Sequence, residues 1–273
     1  MHELGIGCEF WSPEDPANYD DDDDDDDADE QQRRQRRQRR SHNDRLIAAA
    51  VRDTATPAAA VSTCGDKMEE RLAWLYEGIR SVHDISEEEE RHIDDCCGSV
   101  HSHTYGELVG VRDVLKCLQP RPCGDTLWDL GSGAGRFVLQ AAMEHTGLKV
   151  VGVELSEKRH AAAATAACRA ALPNALLVHG DLLQAGCEDA TLVYVASVAF
   201  GDELMRRLGA KLAHLPALRT VALLGRDFPP GSLAGFVTAA CTHVAVTWGV
   251  TRLHVHHRIG EPSVATGRAS SSR

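Results

Sequence analysis

Long apolar segments are missing from this 273-residue chain. The longest apolar runs, such as residues 192–200, have about half of the ~20 residues that a membrane-spanning helix needs, so an integral membrane protein is not expected. The first residues show neither the basic nor the apolar stretch of a secretory signal. The nine cysteines are odd in number and irregularly spaced, which is typical of reduced thiols in a cytosolic or nuclear protein.

Charge is concentrated at the N-terminus. The formal net charge is -12, and residues 1–45 contribute 15 acidic residues against 7 arginines. Residues 20–27 are eight consecutive aspartates, and a block of arginines and glutamines follows from Arg33 to Arg40. Neither block can bury apolar surface, so we expect residues 1–65 to form a disordered tail and residues 261–273 a disordered C-terminus.

For each of the two charged blocks, a binding role and a role without a partner remain open. The arginines are suited to contact phosphates or a nuclear import receptor, or they form a solvated tract with no partner. The aspartates would shield those arginines, attract a basic partner such as a histone, or only keep the chain soluble.

The remaining chain shows the periodicity of an α/β protein. Apolar residues at helical spacing predict a helix over residues 67–82, Ser86 predicts the cap of a second short helix, and a third is expected over residues 107–118. Seven strands follow, five of them alternating with helices and the last two forming a hairpin at residues 242–258. This pattern predicts a doubly wound, seven-stranded Rossmann-like sheet over residues 119–260, behind a small helical subdomain at residues 66–118.

The strongest local signal is a glycine-rich loop between the first predicted strand and its helix. It contains Asp129, Gly131, Ser132, Gly133 and Gly135. A dinucleotide fingerprint has G-x-G-x-x-G spacing, because a pyrophosphate binds the helix N-terminus. Here the spacing is G-x-G-x-G, and a carboxylate at Asp129 would repel a pyrophosphate but attract the cationic amino acid of S-adenosylmethionine. We therefore expect S-adenosylmethionine, with a dinucleotide or a turn without ligand as the alternatives.

Two further acids complete the predicted cofactor site. Glu154 ends the second strand, where a carboxylate can accept both ribose hydroxyls. Asp181 follows the third strand, where it can accept a hydrogen bond from the adenine amino group.

Three segments narrow the comparison to one family. Tyr105-Gly106-Glu107 precedes the glycine loop, the loop continues into a helix with Gln140, and Val246-Thr247-Trp248 lies in the final hairpin. Over residues 68–258 the chain resembles the disruptor-of-telomeric-silencing (DOT1-like) family of histone-lysine methyltransferases, which use a Rossmann-type domain.

The resemblance implies a role for each matching residue. Tyr105, Gly106 and Glu107 would close over the methionine part of the cofactor, and Asp129, Gly131 and Gly133 would cradle it. Glu154 would hold the ribose and Asp181 the adenine, while Ser132, Gly135 and Leu182 would complete the cofactor site. Tyr105 and Phe200 would act at the lysine channel. The implied substrate is a lysine on the core surface of histone H3 in an intact nucleosome, so a nuclear location is expected.

The chain departs from that family where the lysine channel is expected. The family's Asn-Asn-Phe-Ala-Phe run is replaced by Ala-Ser-Val-Ala-Phe at residues 196–200, so only Ala199 and Phe200 match. Leu182 replaces a phenylalanine, and a channel tyrosine has no equivalent between Thr251 and His254. Two alternatives therefore stay open: a methyltransferase for another protein or a small molecule, and a chromatin-binding module that keeps cofactor without turnover.

Two smaller expectations concern metals and tryptophans. His92, Cys96, Cys97, His101 and His103 are ligand types for zinc, but vicinal cysteines cannot easily both face one ion, so no metal is expected. Trp74 and Trp248 are expected in the core.

Overall fold

The structure is a computed structural model that describes residues 63–79, 82, 85–98 and 108–260. Its helices are α1 (Thr63–Leu75), α2 (Glu87–Cys97), α3 (Val111–Leu118), α4 (Arg136–Glu144), α5 (Glu157–Ala170) and α6 (Asp202–Ala213). Its strands are β1 (Thr126–Leu130), β2 (Lys149–Glu154), β3 (Ala175–His179), β4 (Leu192–Ala196), β5 (Thr220–Leu224), β6 (Phe236–Val246) and β7 (Gly249–Arg258). Among the helices described, we find none with the length and apolar character required to span a membrane.

The seven strands form one sheet with the order β3-β2-β1-β4-β5-β7-β6. Strands β1 to β5 pair in parallel, whereas β7 is antiparallel to both β5 and β6. The strand order reverses between β1 and β4, and ligands of doubly wound sheets bind at the carboxyl ends of strands beside such a reversal. The predicted fold class is therefore confirmed, and the glycine loop follows the strand beside the reversal.

Helices cover both faces of the sheet because successive strand residues point to opposite sides. Leu127 faces a layer built by α3 and α4, and Trp128 faces a layer built by α6. A third cluster joins α1 to α4 and α5 through Leu72, Leu75 and Leu139. All five residues of β5 are buried, in agreement with the apolar run that follows Thr220 in this strand.

The N-terminal helices differ from their predicted bounds. Helix α1 begins at Thr63, three residues before the predicted domain boundary, and ends at Leu75 instead of continuing to residue 82. Gly78 follows with φ of 70°, a backbone conformation that does not continue a helix. The predicted cap of α2 is confirmed, because Ser86 Oγ accepts a hydrogen bond from Glu89 N at 3.2 Å.

The expectation for Trp74 is wrong, since its side chain is 55% exposed. Leu72 and Leu75 already fill the buried side of α1, and position 74 lies away from that stripe. Trp248 is half-buried and packs against the core on the α3 and α4 side.

Two other segments also start at different residues. Helix α3 begins at Val111 and not at residue 107, because Leu108 forms a bridge to Val246 of β6. Strand β6 begins at Phe236, six residues before the predicted start. Its first half is exposed on both faces and has no alternating pattern, so only its pairing with β7 defines it. Residues 1–62 and 261–273, which include both charged blocks, lie outside the described residues.

Candidate functional site

The glycine loop is held against the end of β2 by its own backbone. Gly131 N and Ser132 N both donate to Val153 O at 2.9 Å, and Gly133 N donates to Glu154 Oε2 at 2.7 Å. Gly131, Gly133 and Gly135 all have positive φ, which other residues rarely adopt. The loop therefore keeps its backbone open toward the carboxyl ends of β1 and β4.

Glu154 joins the loop to helix α5. Its Oε1 accepts from Ser156 N at 2.9 Å, while Oε2 accepts from Gly133 N. Burial raises the pKa of Glu154 from its ordinary value, although the Ser156 and Gly133 N–H groups and the charge of Arg159 oppose this shift. Each carboxylate oxygen can accept more than one hydrogen bond, so Glu154 can still receive the ribose hydroxyls predicted from the sequence.

Asp129 is a buried carboxylate in need of a cationic partner. It is 2% exposed, and its Oδ1 has no hydrogen-bond partner among the described residues. Burial, and then the charge of Glu154, raises the pKa of Asp129 well above its usual range. The buried Ser132 Oγ likewise has no partner among those residues. These two orphaned polar groups beside an open glycine loop fit the ammonium and carboxylate ends of an amino acid.

The adenine-side residues lie next to Glu154. Gly180 N donates to the backbone oxygen of Glu154 at 2.9 Å, which fixes the turn that carries Asp181. Asp181 Oδ1 accepts from Leu183 N at 2.8 Å, and its side chain is partly exposed. Leu182 is buried in the cluster that also contains Phe200. Leu182 therefore offers an apolar wall at this end of the site.

Phe200 lies at the opposite side of the glycine loop. Its ring is close enough that a Cβ on Gly131 would lie 3.3 Å from Phe200 Cζ. Val198 is 43% exposed, so an apolar side chain faces outward just after β4. The buried Ser197 Oγ lies 2.7 Å from Arg226 O and 3.1 Å from Leu224 O, so this hydroxyl is occupied by the backbone after β5.

The predicted lid residues Tyr105, Gly106 and Glu107 lie outside the described residues. The backbone that follows them is anchored at the end of β6. Val109 N and Gly110 N both donate to Ala245 O, at 3.1 and 2.9 Å. Residues 108–110, which directly follow Tyr-Gly-Glu in the sequence, therefore lie beside the end of β6, where Val246-Thr247-Trp248 begins.

Sequence reasoning missed three residues that support the site. Tyr76 OH donates to Ala134 O at 2.6 Å, which ties the end of α1 to the glycine loop. Glu89 Oε1 accepts a hydrogen bond from Ser156 Oγ at the start of α5. Local patterns place Tyr76 and Glu89 in helices but do not reveal their partners, which lie 58 and 67 residues away.

The histidine and cysteine group is only partly described. Cys96 Sγ lies 3.8 Å from the ring nitrogens of His92, while His101 and His103 lie outside the described residues. Within the described part of the chain, we find no group of three or more histidine, cysteine or acidic side chains arranged to hold a metal ion.

Comparisons with known proteins add a family match. A family model described as the precorrin methyltransferase domain matches residues 111–221, which is 111 of the 273 residues. No curated protein matches the chain significantly.

Solved structures with a similar fold have low sequence identity. An RNA methyltransferase from Salinibacter ruber with S-adenosyl-L-homocysteine is 23% identical, with a TM-score of 0.45, over 56% of this chain and 93% of that one. TrmN from Thermus thermophilus is 22% identical, with a TM-score of 0.46, over 55% of this chain and 48% of that one. Magnesium protoporphyrin IX methyltransferase from Synechocystis PCC 6803 is 18% identical, with a TM-score of 0.47, over 74% of this chain and 100% of that one.

The family match covers the glycine loop, Glu154 and Asp181, the residues in which sequence and geometry both point to an amino-acid-bearing nucleoside. The strand order with an antiparallel β7 is that of a class I methyltransferase. Residues 108–260 therefore have an α/β Rossmann-like methyltransferase fold, and the cofactor that fits the family match and the site is S-adenosylmethionine.

Proposed function

We propose that this chain transfers a methyl group from S-adenosylmethionine to a lysine on the core surface of histone H3 in nucleosomes. The observation that carries the proposal is the contact between Leu108–Gly110 and the end of β6. Two motifs of the resemblance, Tyr-Gly-Glu and Val-Thr-Trp, are about 140 residues apart in the chain. The backbone hydrogen bonds to Ala245 link the segments that carry them, which supports a shared site.

The side of the site after β4 suits an alkylamine. Val198 and Phe200 are apolar, and the Ser197 hydroxyl is occupied by backbone carbonyls. Such a surface would pack against the methylenes of a lysine and lower the pKa of its amine by desolvation. The neutral nitrogen then forms the new C–N bond as the C–S bond breaks, and its proton passes to water.

The chain's own residues would bind and orient rather than act as acids or bases. S-adenosylmethionine supplies an electrophilic methyl group on a sulfonium. Asp129 would pair with its ammonium, Glu154 would accept from its ribose, and Asp181 from its adenine. Tyr105 and Glu107 would exclude water from the methionine side, as the resemblance implies. The rate would come from position and desolvation.

The N-terminal arginines provide the proposed contact with the nucleosome. The six arginines from Arg33 to Arg40 would bind DNA phosphates or an acidic histone surface, and the affinity would then fall with salt. A nuclear location belongs to the same proposal.

A second candidate function is methylation of a small molecule, such as a tetrapyrrole. Two observations favour it: the matched family model is described for precorrins, and residues 196–198 lack the two asparagines of the lysine-methyltransferase pattern. A third candidate is a chromatin module that binds cofactor without turnover.

The test is transfer of labelled methyl from S-adenosylmethionine to nucleosomes, free histones and a tetrapyrrole, measured in parallel. We expect label on H3 in nucleosomes, and its loss in Gly131→Arg and Glu154→Ala. Leu176→Ala, at an exposed apolar residue of β3, is the control and should keep wild-type transfer. Label on the tetrapyrrole alone would replace the proposal with the second candidate. Cofactor binding without transfer to any acceptor would favour the third.

A further inference from the structure

Helix α2 reaches the start of α5 through one side chain. Glu89 Oε1 accepts from Ser156 Oγ at 2.5 Å and from Lys158 N at 3.2 Å. A carboxylate at this place is stabilised by the free N–H groups and the positive end of α5. Glu89 is partly buried, whereas its neighbours Glu87 and Glu88 are exposed. Glu89 therefore makes a specific contact with α5, which the negative charge of the four acids in this turn does not by itself explain.

Ser156 passes this contact on to Glu154. Ser156 is completely buried; its hydroxyl donates to Glu89 and accepts from Arg159 N at 3.2 Å. Its own backbone N–H donates to Glu154 Oε1 at 2.9 Å. The position of Ser156 therefore determines where one oxygen of Glu154 is held, and Glu89 holds Ser156 from the other side.

We infer that Glu89 is a positioning residue for the cofactor: through Ser156 it holds the Glu154 carboxylate in the orientation that receives the ribose hydroxyls. Helix α2 precedes the strands of the Rossmann-like sheet in the sequence, and this role makes it part of the cofactor site. The inference rests on S-adenosylmethionine as cofactor and is independent of the acceptor.

The other end of α2 agrees with this arrangement. Burial is the main cause that raises the pKa of Cys96 above its ordinary value, and the charges of Asp181 and Asp95 raise it further. Cys97 packs against the cluster that contains Leu182. Helix α2 therefore extends from the residue next to the ribose carboxylate to the predicted adenine side of the site.

The test compares two ligands on the full chain: S-adenosylhomocysteine and its 2′,3′-dideoxy analogue, which lacks the ribose hydroxyls. Isothermal titration gives the affinity of each ligand. We expect Glu89→Ala to lower the affinity for S-adenosylhomocysteine about tenfold and the affinity for the analogue less than twofold. The reason is that only S-adenosylhomocysteine has the ribose hydroxyls that bind the Glu154 carboxylate. The ratio of the two affinities, which favours S-adenosylhomocysteine in the wild type, should fall correspondingly in Glu89→Ala.

Three further variants make the result specific. Glu88→Ala removes an exposed acid from the same turn and should leave both affinities unchanged. Glu89→Gln keeps an oxygen that accepts from Ser156 and should restore most of the preference. Ser156→Ala should reproduce the loss, and the Glu89→Ala/Ser156→Ala pair should lose no more than either single change.

Each other outcome has a defined meaning. An equal loss for both ligands in Glu89→Ala would show only a structural role and overturn the inference, as would unchanged affinities. A wild type that binds both ligands equally would also overturn it, because Glu154 would not recognise the ribose. A wild type that binds neither would instead overturn the cofactor assignment. None of these results depends on whether histone H3 is the acceptor.

Discussion

At the residue scale, the site contains two buried acids, and Oδ1 of one of them, Asp129, has no hydrogen-bond partner among the described residues. Asp129 and Glu154 both have raised pKa values, and each is buried. Buried acids of this kind lower the stability of the cofactor-free protein, and they interact strongly with a cationic ligand when one binds. Asp129 therefore favours a cofactor that carries positive charge.

The first prediction concerns Asp129→Asn. Because burial raises the pKa of Asp129 in the folded protein, its ionised form costs stability at neutral pH, and that cost disappears as the pH falls toward the unfolded value of 3.8. We expect the variant to be more stable than the wild type at pH 7, by about 1–3 kcal/mol, and equal to it near pH 4. Urea unfolding across this pH range, without cofactor, measures the difference.

The same substitution should lower the affinity for S-adenosylhomocysteine about tenfold, because the ammonium group of the ligand loses a charged partner. A variant that is less stable at pH 7, or whose difference does not change with pH, would contradict a buried Asp129 with a raised pKa.

The second prediction concerns the glycine inside β2. A Cβ on Gly152 would lie 2.8 Å from both Ser132 Cβ and Val138 Cγ2, so the glycine loop packs directly on this strand position. We expect Gly152→Ala to lower the free energy of unfolding by about 1–3 kcal/mol and to weaken cofactor binding as the loop moves. Gly180→Ala is the matched control for stability, because nothing lies within 4 Å of its Cβ. Equal melting temperatures for the two variants would disprove this packing.

At the element scale, one buried ion pair joins three elements on the side of the sheet away from the cofactor. Arg219, just before β5, contacts Asp125, just before β1, at 2.6 Å, and its Nη2 also donates to Gln119 O after α3 at 2.8 Å. Asp125 is 1% exposed at its side chain. Burial alone would raise the pKa of Asp125, but hydrogen bonds from Arg219, Arg121 N and Thr191 outweigh it and lower the pKa.

The third prediction follows from this pair. We expect Arg219→Met to cost about 3 kcal/mol of stability at pH 7, because a buried carboxylate remains without its cation. Because the pKa of Asp125 is lowered in the folded protein, the ionised carboxylate stabilises the wild type above the unfolded pKa of 3.8, and this stabilisation is lost as the pH falls below it. The difference in stability between the wild type and Arg219→Met should therefore become smaller in acid. Thermal unfolding at several pH values measures this.

Arg206→Met is the control for the ion pair. Arg206 and Glu203 form an exposed pair on α6, and such pairs contribute little. A loss for Arg206→Met equal to that for Arg219→Met would mean that burial of the pair is not the cause.

At the scale of the whole molecule, net charge is unevenly distributed along the chain. The methyltransferase domain follows a segment that carries two-thirds of the net charge. Under the proposed function, the methyltransferase domain and the contact with the nucleosome are encoded in different segments of the chain.

The fourth prediction concerns the arginines from Arg33 to Arg40. If the chain binds nucleosomes as proposed, replacing all six by serine should weaken binding to nucleosome core particles and reduce the slope of log affinity against log salt by at most about five. Each phosphate contact contributes about 0.9 to that slope. Binding titrations from 50 to 200 mM salt, roughly the range in which such contacts weaken, measure the slope. An unchanged slope would remove these arginines from the interface.

Deletion of residues 20–27 tests the role proposed for the aspartates. If they compete for the same arginines, the deletion should strengthen nucleosome binding at low salt. Unchanged affinity would leave the aspartates without this role.

The sequence by itself determined the order of the elements and the local part of the site. All seven strands were predictable because strand and helix periodicities depend on neighbours in the chain, and the loop from Asp129 to Gly135 directly follows a strand. Gly152 also had a readable signal, because a glycine inside a strand often marks close backbone approach.

Only the tertiary structure decided which distant residues support that site. Tyr76 reaches Ala134, Glu89 reaches Ser156, and Val109 reaches Ala245, in each case across more than 50 residues. The first half of β6 is likewise defined by its pairing with β7 and not by its own pattern. The physical reason is common to all four: these contacts depend on packing and hydrogen bonds between segments brought together by the fold, and periodicity reports only how a segment presents its own faces.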